Sequence, residues 1–272
     1  MKVAVVLLLF AALLSACGTN KSGNMDHMDH STHQGAQAES VSTDSINAIW
    51  KLSSDKPRSK QDTAIHIQIQ DSQGKAIGKF DINHEKQMHL IVVNKDLSYF
   101  NHIHPDYKGN GQFDITTQFP AGGEYKLIAD FIPNGMGATT KTNWITVQGD
   151  AAKPAGITPD SNMTKVVDGK EVTLSMDQLA PGKEANITFN IKDAATKKPI
   201  TNLQQYLGAV GHVVIMSADA EQYLHVHPTE EKATGPDAKF MTSFPKSGIY
   251  KIWGQFQHEG KVITVPFVVK VP

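Results

Sequence analysis

Along this chain, apolar and polar positions alternate in short stretches separated by turn residues. Over residues 64–70, Ile65, Ile67 and Ile69 fall on one side while His66, Gln68 and Gln70 fall on the other. That is the two-residue period of a half-buried β-strand. Short apolar runs at 90–93 and 262–269 are set apart by turn signals such as Gly109-Asn110-Gly111 and Pro181-Gly182. Helical periodicity is missing from every long stretch, and residues 202–207 have room for one helical turn only. Several strands at regular spacing within about 100 residues predict a β-sandwich.

The pattern then repeats. His89-Leu90-Ile91-Val92-Val93, Asp96 and Phe100-Asn101-His102-Ile103-His104-Pro105 return 123 positions later as His212-Val213-Val214-Ile215-Met216, Asp219 and Tyr223-Leu224-His225-Val226-His227-Pro228. Further on the offset is 125, matching Phe119-Pro120, Gly123, Tyr125-Lys126, Phe131 and Gly135 with Phe244-Pro245, Gly248, Tyr250-Lys251, Phe256 and Gly260. A period of domain length means two similar domains and not a solenoid. The expected organisation is all-β: two tandem immunoglobulin-like or cupredoxin-like sandwiches at 46–148 and 164–272, joined by a Pro-containing linker at 149–163.

The N-terminus is different in kind. Met1-Lys2, a short apolar run and Leu14-Ser15-Ala16-Cys17 have the layout of a secretory signal over 1–16. The run is too short to span a bilayer, which takes about 20 residues. Leu-Ser-Ala-Cys resembles the bacterial lipobox, and Cys17 is the chain's 1 cysteine. The resemblance implies cleavage before Cys17, acylation of its thiol, and a lipid anchor holding the protein at the extracytoplasmic face of the cell membrane. Residues 17–45 are Gly-, Ser-, Asn- and Gln-rich without apolar periodicity, which predicts a disordered arm.

Charge narrows the classes. With 26 basic and 27 acidic residues there is no basic excess to suggest nucleic acid. A single cysteine excludes internal disulfides and thiolate clusters, while 12 His and 9 Met leave imidazole and thioether chemistry available. Within the arm, Met25, His27, Met28, His30 and His33 come from a doubled Met-Asp-His followed by a third His. Thioether sulfur suits Cu(I), and imidazole suits Cu, Zn and Ni. The arm therefore reads as a metal-capturing segment, or more plainly as a solvated linker.

Within the domains, His102 and His104 lie two apart and share one face of a strand, as do His225 and His227. His89 and His212, each 13 positions earlier, complete a trio in each domain. Three imidazoles can hold an ion and leave a fourth position for water, a Met or a partner's ligand. The other reading of the trios is a structural HxHP turn. His66 is expected on the solvated face, His84 and His258 at the surface, Met88 and Met216 as gap-filling residues, and Trp50, Trp144 and Trp253 in packing.

At the repeated trio, with Leu207-Gly208-Ala209-Val210-Gly211-His212 leading into HxHP, the chain resembles bacterial YtkA-like and cupredoxin-like secreted proteins associated with copper handling. The resemblance implies copper, with zinc as the alternative ion, a metal-delivery partner, and a role as chaperone or buffer. Blue-copper electron transfer is disfavoured because it needs a Cys ligand. The rival classes are a structural or interaction module of the envelope and a His-metal enzyme, cupin-like or hydrolytic. For an enzyme, no motif supplies a general base, and GxSxG, HExxH and phosphate loops are missing. The chain is expected not to be an enzyme.

Overall fold

A computed structural model describes residues 45–224 and 226–272, the side chain of His227 excepted. The signal, Cys17, the arm ligands Met25, His27, Met28, His30 and His33, and His225 lie outside the described residues. Nine strands form the first half: β1 (Ile46–Leu52), β2 (Asp62–Asp71), β3 (Phe80–Asp81), β4 (Met88–Asn94), β5 (Phe100–Ile103), β6 (Asp106–Gly109), β7 (Gln112–Gln118), β8 (Gly123–Pro133) and β9 (Thr139–Val147). Nine more form the second: β10 (Thr164–Val167), β11 (Lys170–Met176), β12 (Glu184–Asp193), β13 (His212–Ser217), β14 (Tyr223–Leu224), β15 (His227–Pro228), β16 (Asp237–Ser243), β17 (Gly248–His258) and β18 (Lys261–Val271). The first sandwich faces a β1-β2-β7-β6 sheet against β3-β8-β4-β5, with β9 on β8. The second faces β10-β11-β12-β16-β15 against β14-β13-β17-β18. Residues 202–207 form no helical turn; Tyr206 and Ala209 close a tight turn by bonding each other's backbone.

Each sandwich has its own core. Ile65, Ile67 and Ile69 meet Leu90, Val92, Phe113, Leu127 and Phe131 in the first. Ile187, Phe189 and Ile191 meet Val213, Ile215, Phe240, Ile252 and Phe256 in the second. Alternation then dictates where the remaining side chains of β4 and β13 go. Ile91 and Val93 of β4, and Val214 and Met216 of β13, point out of their own cores, yet all are buried. With Leu97, Ile128, Ala220 and Trp253 they form a third apolar cluster, the seam between the sandwiches. Both sandwiches belong to one compact unit.

The seam is reciprocal. Lys126 Nζ donates to the Ala220 carbonyl at 2.7 Å, and Lys251 Nζ donates to the Leu97 carbonyl at 2.7 Å. Lys126 and Lys251 are repeat equivalents, and so are Leu97 and Ala220, so each half gives the other the same bond. This is the pattern of an isologous two-fold contact, here within one chain. The carbonyls are presented by tight turns in which Leu97 (φ 55) and Ala220 (φ 60) take the left-handed conformation. Phe100 stacks on Trp253 with ring centres 4.7 Å apart, and Tyr223 OH donates to Asp130 Oδ2 at 2.7 Å. The connecting segment is pinned: Ala155 N donates to Asp96 Oδ2, Ile157 packs on the seam, and Asp160 bonds Val268 in both directions.

Trp253 is 3% exposed and packs in the seam cluster. Trp253→Ala is expected to cost about 3–5 kcal/mol, measured by urea unfolding at neutral pH. A loss under about 1 kcal/mol would show that the seam adds little to stability.

Candidate functional site

The alternation that builds the seam also places the histidines. His89 is two residues before Ile91 on β4, and His212 two residues before Val214 on β13, so both imidazoles open onto the seam face. His102 reaches the same face from β5, where it pairs with Ile91. One nitrogen from each of His89, His102 and His212 lies within 4.8 Å of the others. Two of the first domain's expected trio are thus joined by the leading histidine of the other. His104 is beside them, its ring centre 5.0 Å from that of His89 and 4.7 Å from that of His102. Nothing is described for the side chains of His225 and His227.

His84, expected at the surface, belongs to the cluster. It sits in the Asn83–Lys86 turn, where His84 (φ 46) and Glu85 (φ 64) are both left-handed. Asn83 and Lys86 bond each other's backbone across it. Two successive positive φ values make a type I′ turn, which favours Asn and Gly and strains other side chains. The equivalent turn in the second half holds Leu207 and Gly208. A Cβ on Gly208 would come 3.3 Å from Glu85 Cγ, so the two turns meet across the seam. The His84 ring centre is 5.4 Å from that of His212 and 6.3 Å from that of His89. Repeat comparison cannot reveal His84, because its counterpart is Leu207.

Hydrogen bonding settles which nitrogens carry protons. His89 Nε2 is 2.9 Å from the Asn83 carbonyl oxygen, which can only accept, so Nε2 holds the proton and Nδ1 keeps its lone pair. His102 Nδ1 is 2.8 Å from Gln255 Oε1, whose amide nitrogen is turned to Thr264 Oγ1, so the proton is on Nδ1 and Nε2 is bare. His89 Nδ1 and His102 Nε2 approach to 3.0 Å. A tetrahedral ion 2.0–2.1 Å from each would set them about 3.3 Å apart, a shift of a few tenths of an ångström. Oxygen acceptors behind imidazoles are the usual second layer of a metal site. His104 Nε2 and His212 Nδ1 are buried without a hydrogen-bond partner, and of these two residues His212 belongs to the converging group while His104 does not.

Three of the clustered rings are held neutral at neutral pH. Burial, then the positive charges of His89 and His104, push His102 down to about 3. Burial, then His89 and Lys86, push His104 down to about 4. His212 is held well below the ordinary 6.5, first by burial and then by His102 and His89.

The other expected residues separate cleanly. Met88 packs into the first core and Met216 into the seam. His66 stands on the outer sheet face with Nδ1 2.8 Å from Asp114 Oδ1. His258, expected at the surface, is 7% exposed, and its Nε2 meets Asn202 Oδ1 at 3.0 Å. Trp144 is 37% exposed at the seam's rim, below the Lys126 ammonium. Gln255 and the Asn83 carbonyl were invisible to motif reading. Gln255 is 5% exposed and occupies the place held by Asp130 in the first half. Gly211 lets β13 begin hard against β17, since a Cβ there would lie 2.6 Å from the Gln255 carbonyl and from the Phe256 ring.

One family model, a domain of unknown function (DUF8832), matches twice, over residues 42–149 and 165–272. No curated protein matches. Among solved structures, the Escherichia coli adhesin FdeC is similar over 83% of this chain and 64% of its own, at 16% identity and a TM-score of 0.29. The Yersinia pseudotuberculosis adhesin InvE is similar over 86% and 61%, at 10% identity and 0.27. A two-domain fibronectin type III segment of chicken tenascin is similar over 82% and 99%, at 11% identity and 0.24. The chain thus spans under two thirds of either adhesin structure. Likenesses this distant say nothing about what it binds.

In the metal-free protein the three depressed histidines should make stability pH-dependent. Unfolded, each titrates near 6.5; folded, they stay neutral down to about 4 for His104 and about 3 for His102. The unfolded chain therefore binds more protons in that window. Stability is complete above about pH 6.5 and falls toward pH 4, by up to about 1.4 kcal/mol per pH unit for each group. Urea unfolding in a chelator at pH 7.5, 5.5 and 4.5 should show this, with a flatter profile for His212→Gln. A profile that rises on acidification contradicts the assignment.

Proposed function

This chain belongs to the DUF8832 family through both of its folded halves, and from that premise we propose that it is a non-catalytic β-sandwich module of the cell envelope whose seam binds a transition-metal ion. The supporting observation is the convergence of His89, His102 and His212, one nitrogen of each within 4.8 Å of the others, with oxygen acceptors behind the rings of His89 and His102. His212 brings a third ligand from the opposite sandwich. Export and lipid anchoring at Cys17 rest on the signal-like start and the lipobox pattern. In the narrower form of this reading the ion is copper, with zinc as the alternative. Met25, His27, Met28, His30 and His33 capture it, and the chain serves as a buffer or as a chaperone to a delivery partner. The resemblance to copper-handling secreted proteins supports that form.

A second reading is favoured by the rest of the seam. Its apolar cluster and reciprocal lysine bonds hold the sandwiches together without any ion. The protein is then an interaction module that presents its outer sheets to an envelope partner, with the histidines as packing. The two readings diverge in solution. Purified residues 18–272 should take up Zn(II) or Cu(II) in competition with a chromophoric chelator, and His89→Ala/His102→Ala/His212→Ala should lose that uptake. Equal uptake by the triple variant defeats the seam site, and no uptake by the parent leaves the interaction module.

Deleting residues 25–33 tests the arm separately. It should lower Cu(I) capacity while leaving the seam's divalent ion in place. Unchanged Cu(I) capacity removes the arm from the function.

A further inference from the structure

β4 and β13 lie beside each other across the seam with their starts together and their ends together. Near the starts, His89 and His212 bring nitrogens within 4.8 Å of each other and of one from His102. Near the ends, Lys126, opposite Val93, reaches the Ala220 carbonyl, and Lys251, opposite Met216, reaches the Leu97 carbonyl. The lysine bonds thus fasten one end of the seam, and the imidazoles converge at the other, where His102 Nδ1 also donates across it to Gln255 Oε1. The converging trio is divided between the halves. His89 and His102 stand on β4 and β5 of the first, and His212 stands on β13 of the second. Their nitrogens converge only while the sandwiches are docked, and parting them leaves two ligands on one side and one on the other. Each side is also tied to a turn. The Asn83 carbonyl accepts from His89 Nε2 at 2.9 Å, and His212 opens β13 just after the Tyr206–Ala209 turn. The two turns meet, since a Cβ on Gly208 would lie 3.3 Å from Glu85 Cγ.

Resting on the metal-binding reading above, we propose that the ion is a regulatory clasp between the two sandwiches. A divalent ion of the Zn(II) type, bound by His89 and His102 on one side and His212 on the other, fastens the end of the seam that the lysines do not reach. Imidazole is a suitable ligand for such an ion. An opened seam keeps at most two of the three ligands, so loading the ion and closing that end are one linked equilibrium. Metal supply then sets how firmly the halves are docked and how well Ile91, Val93, Val214 and Trp253 stay covered.

Amide hydrogen exchange of purified residues 18–272, read by mass spectrometry, reports on both turns. Their amides are bonded internally, Asn83 N to the Lys86 carbonyl and Tyr206 N to the Ala209 carbonyl. With free Zn(II) at about 100 times its Kd, exchange in both turns should slow, approaching about 100-fold. β1 and β10, on the sheets that do not form the seam, should exchange as before. In His212→Ala saturated with Zn(II), protection of the 206–209 turn should vanish, whatever the 83–86 turn retains. His212→Phe, which keeps a ring there without a ligand nitrogen, serves if the alanine variant misfolds. Three results overturn the clasp while leaving metal binding intact. They are a Zn(II)-loaded parent with its 206–209 turn unprotected, protection spread equally to β1 and β10, and a His212 variant whose 206–209 turn is still protected. A parent that takes up no Zn(II) in competition with a chelator removes the metal-binding reading itself.

Discussion

Two sheets that are apolar on both faces need cover on both, and in this protein each covers the other. β4 and β13 supply the constraint. Leu90 and Val92 fill one core while Ile91 and Val93 have to be buried elsewhere, and Val213 and Ile215 stand in the same relation to Val214 and Met216. Leaving such faces in water would expose a contiguous apolar patch larger than a monomer usually carries. Face-to-face docking is the resolution, and it sets the position of everything else at the seam. The histidines enter it by phase alone. A one-residue slip in β4 would send His89 into the first core and Leu90 outward.

Duplication explains the seam's reciprocity, and departures from duplication explain its chemistry. Equivalent lysines reach equivalent carbonyls, as in a two-fold dimer joined into one chain. Around the shared axis the copies differ. His84 stands where the second half has Leu207, Glu85 where it has Gly208, and Asp130 where it has Gln255. Gln255 presents a neutral oxygen to His102, which orients the ring without adding charge. Asp130 accepts from Tyr223 instead. Burial and that carboxylate together hold the Tyr223 phenol well above its ordinary range. Of the first half's histidines, His102 is thus oriented by a residue of the second half, while His89 is oriented by the Asn83 carbonyl of its own half.

The sandwiches were legible in the sequence because they follow from local rules. Alternating Ile65, Ile67 and Ile69, the turn signals and the repeat of His89 through Pro105 all reflect contacts made within one domain. The clustering of imidazoles was legible in part, since HxH on a strand places two of them on one face. Their partners were not. His84 has no repeat counterpart, Gln255 has no motif, and the Asn83 oxygen is backbone. His258 read as a surface residue because nothing local shows that Asn202 is folded against it.

What the sequence determined alone was fold class, duplication, and which faces of β4 and β13 carry imidazole. Periodicity and offset are properties of the chain and need no third dimension. Only the tertiary structure decided that His212 of the second half meets His89 and His102 of the first. Seam contacts join residues such as His102 and Gln255, 153 positions apart. Pairing at that distance depends on how two finished surfaces fit, through the summed burial of Ile91, Val93, Val214 and Trp253, and no spacing along the chain encodes that fit.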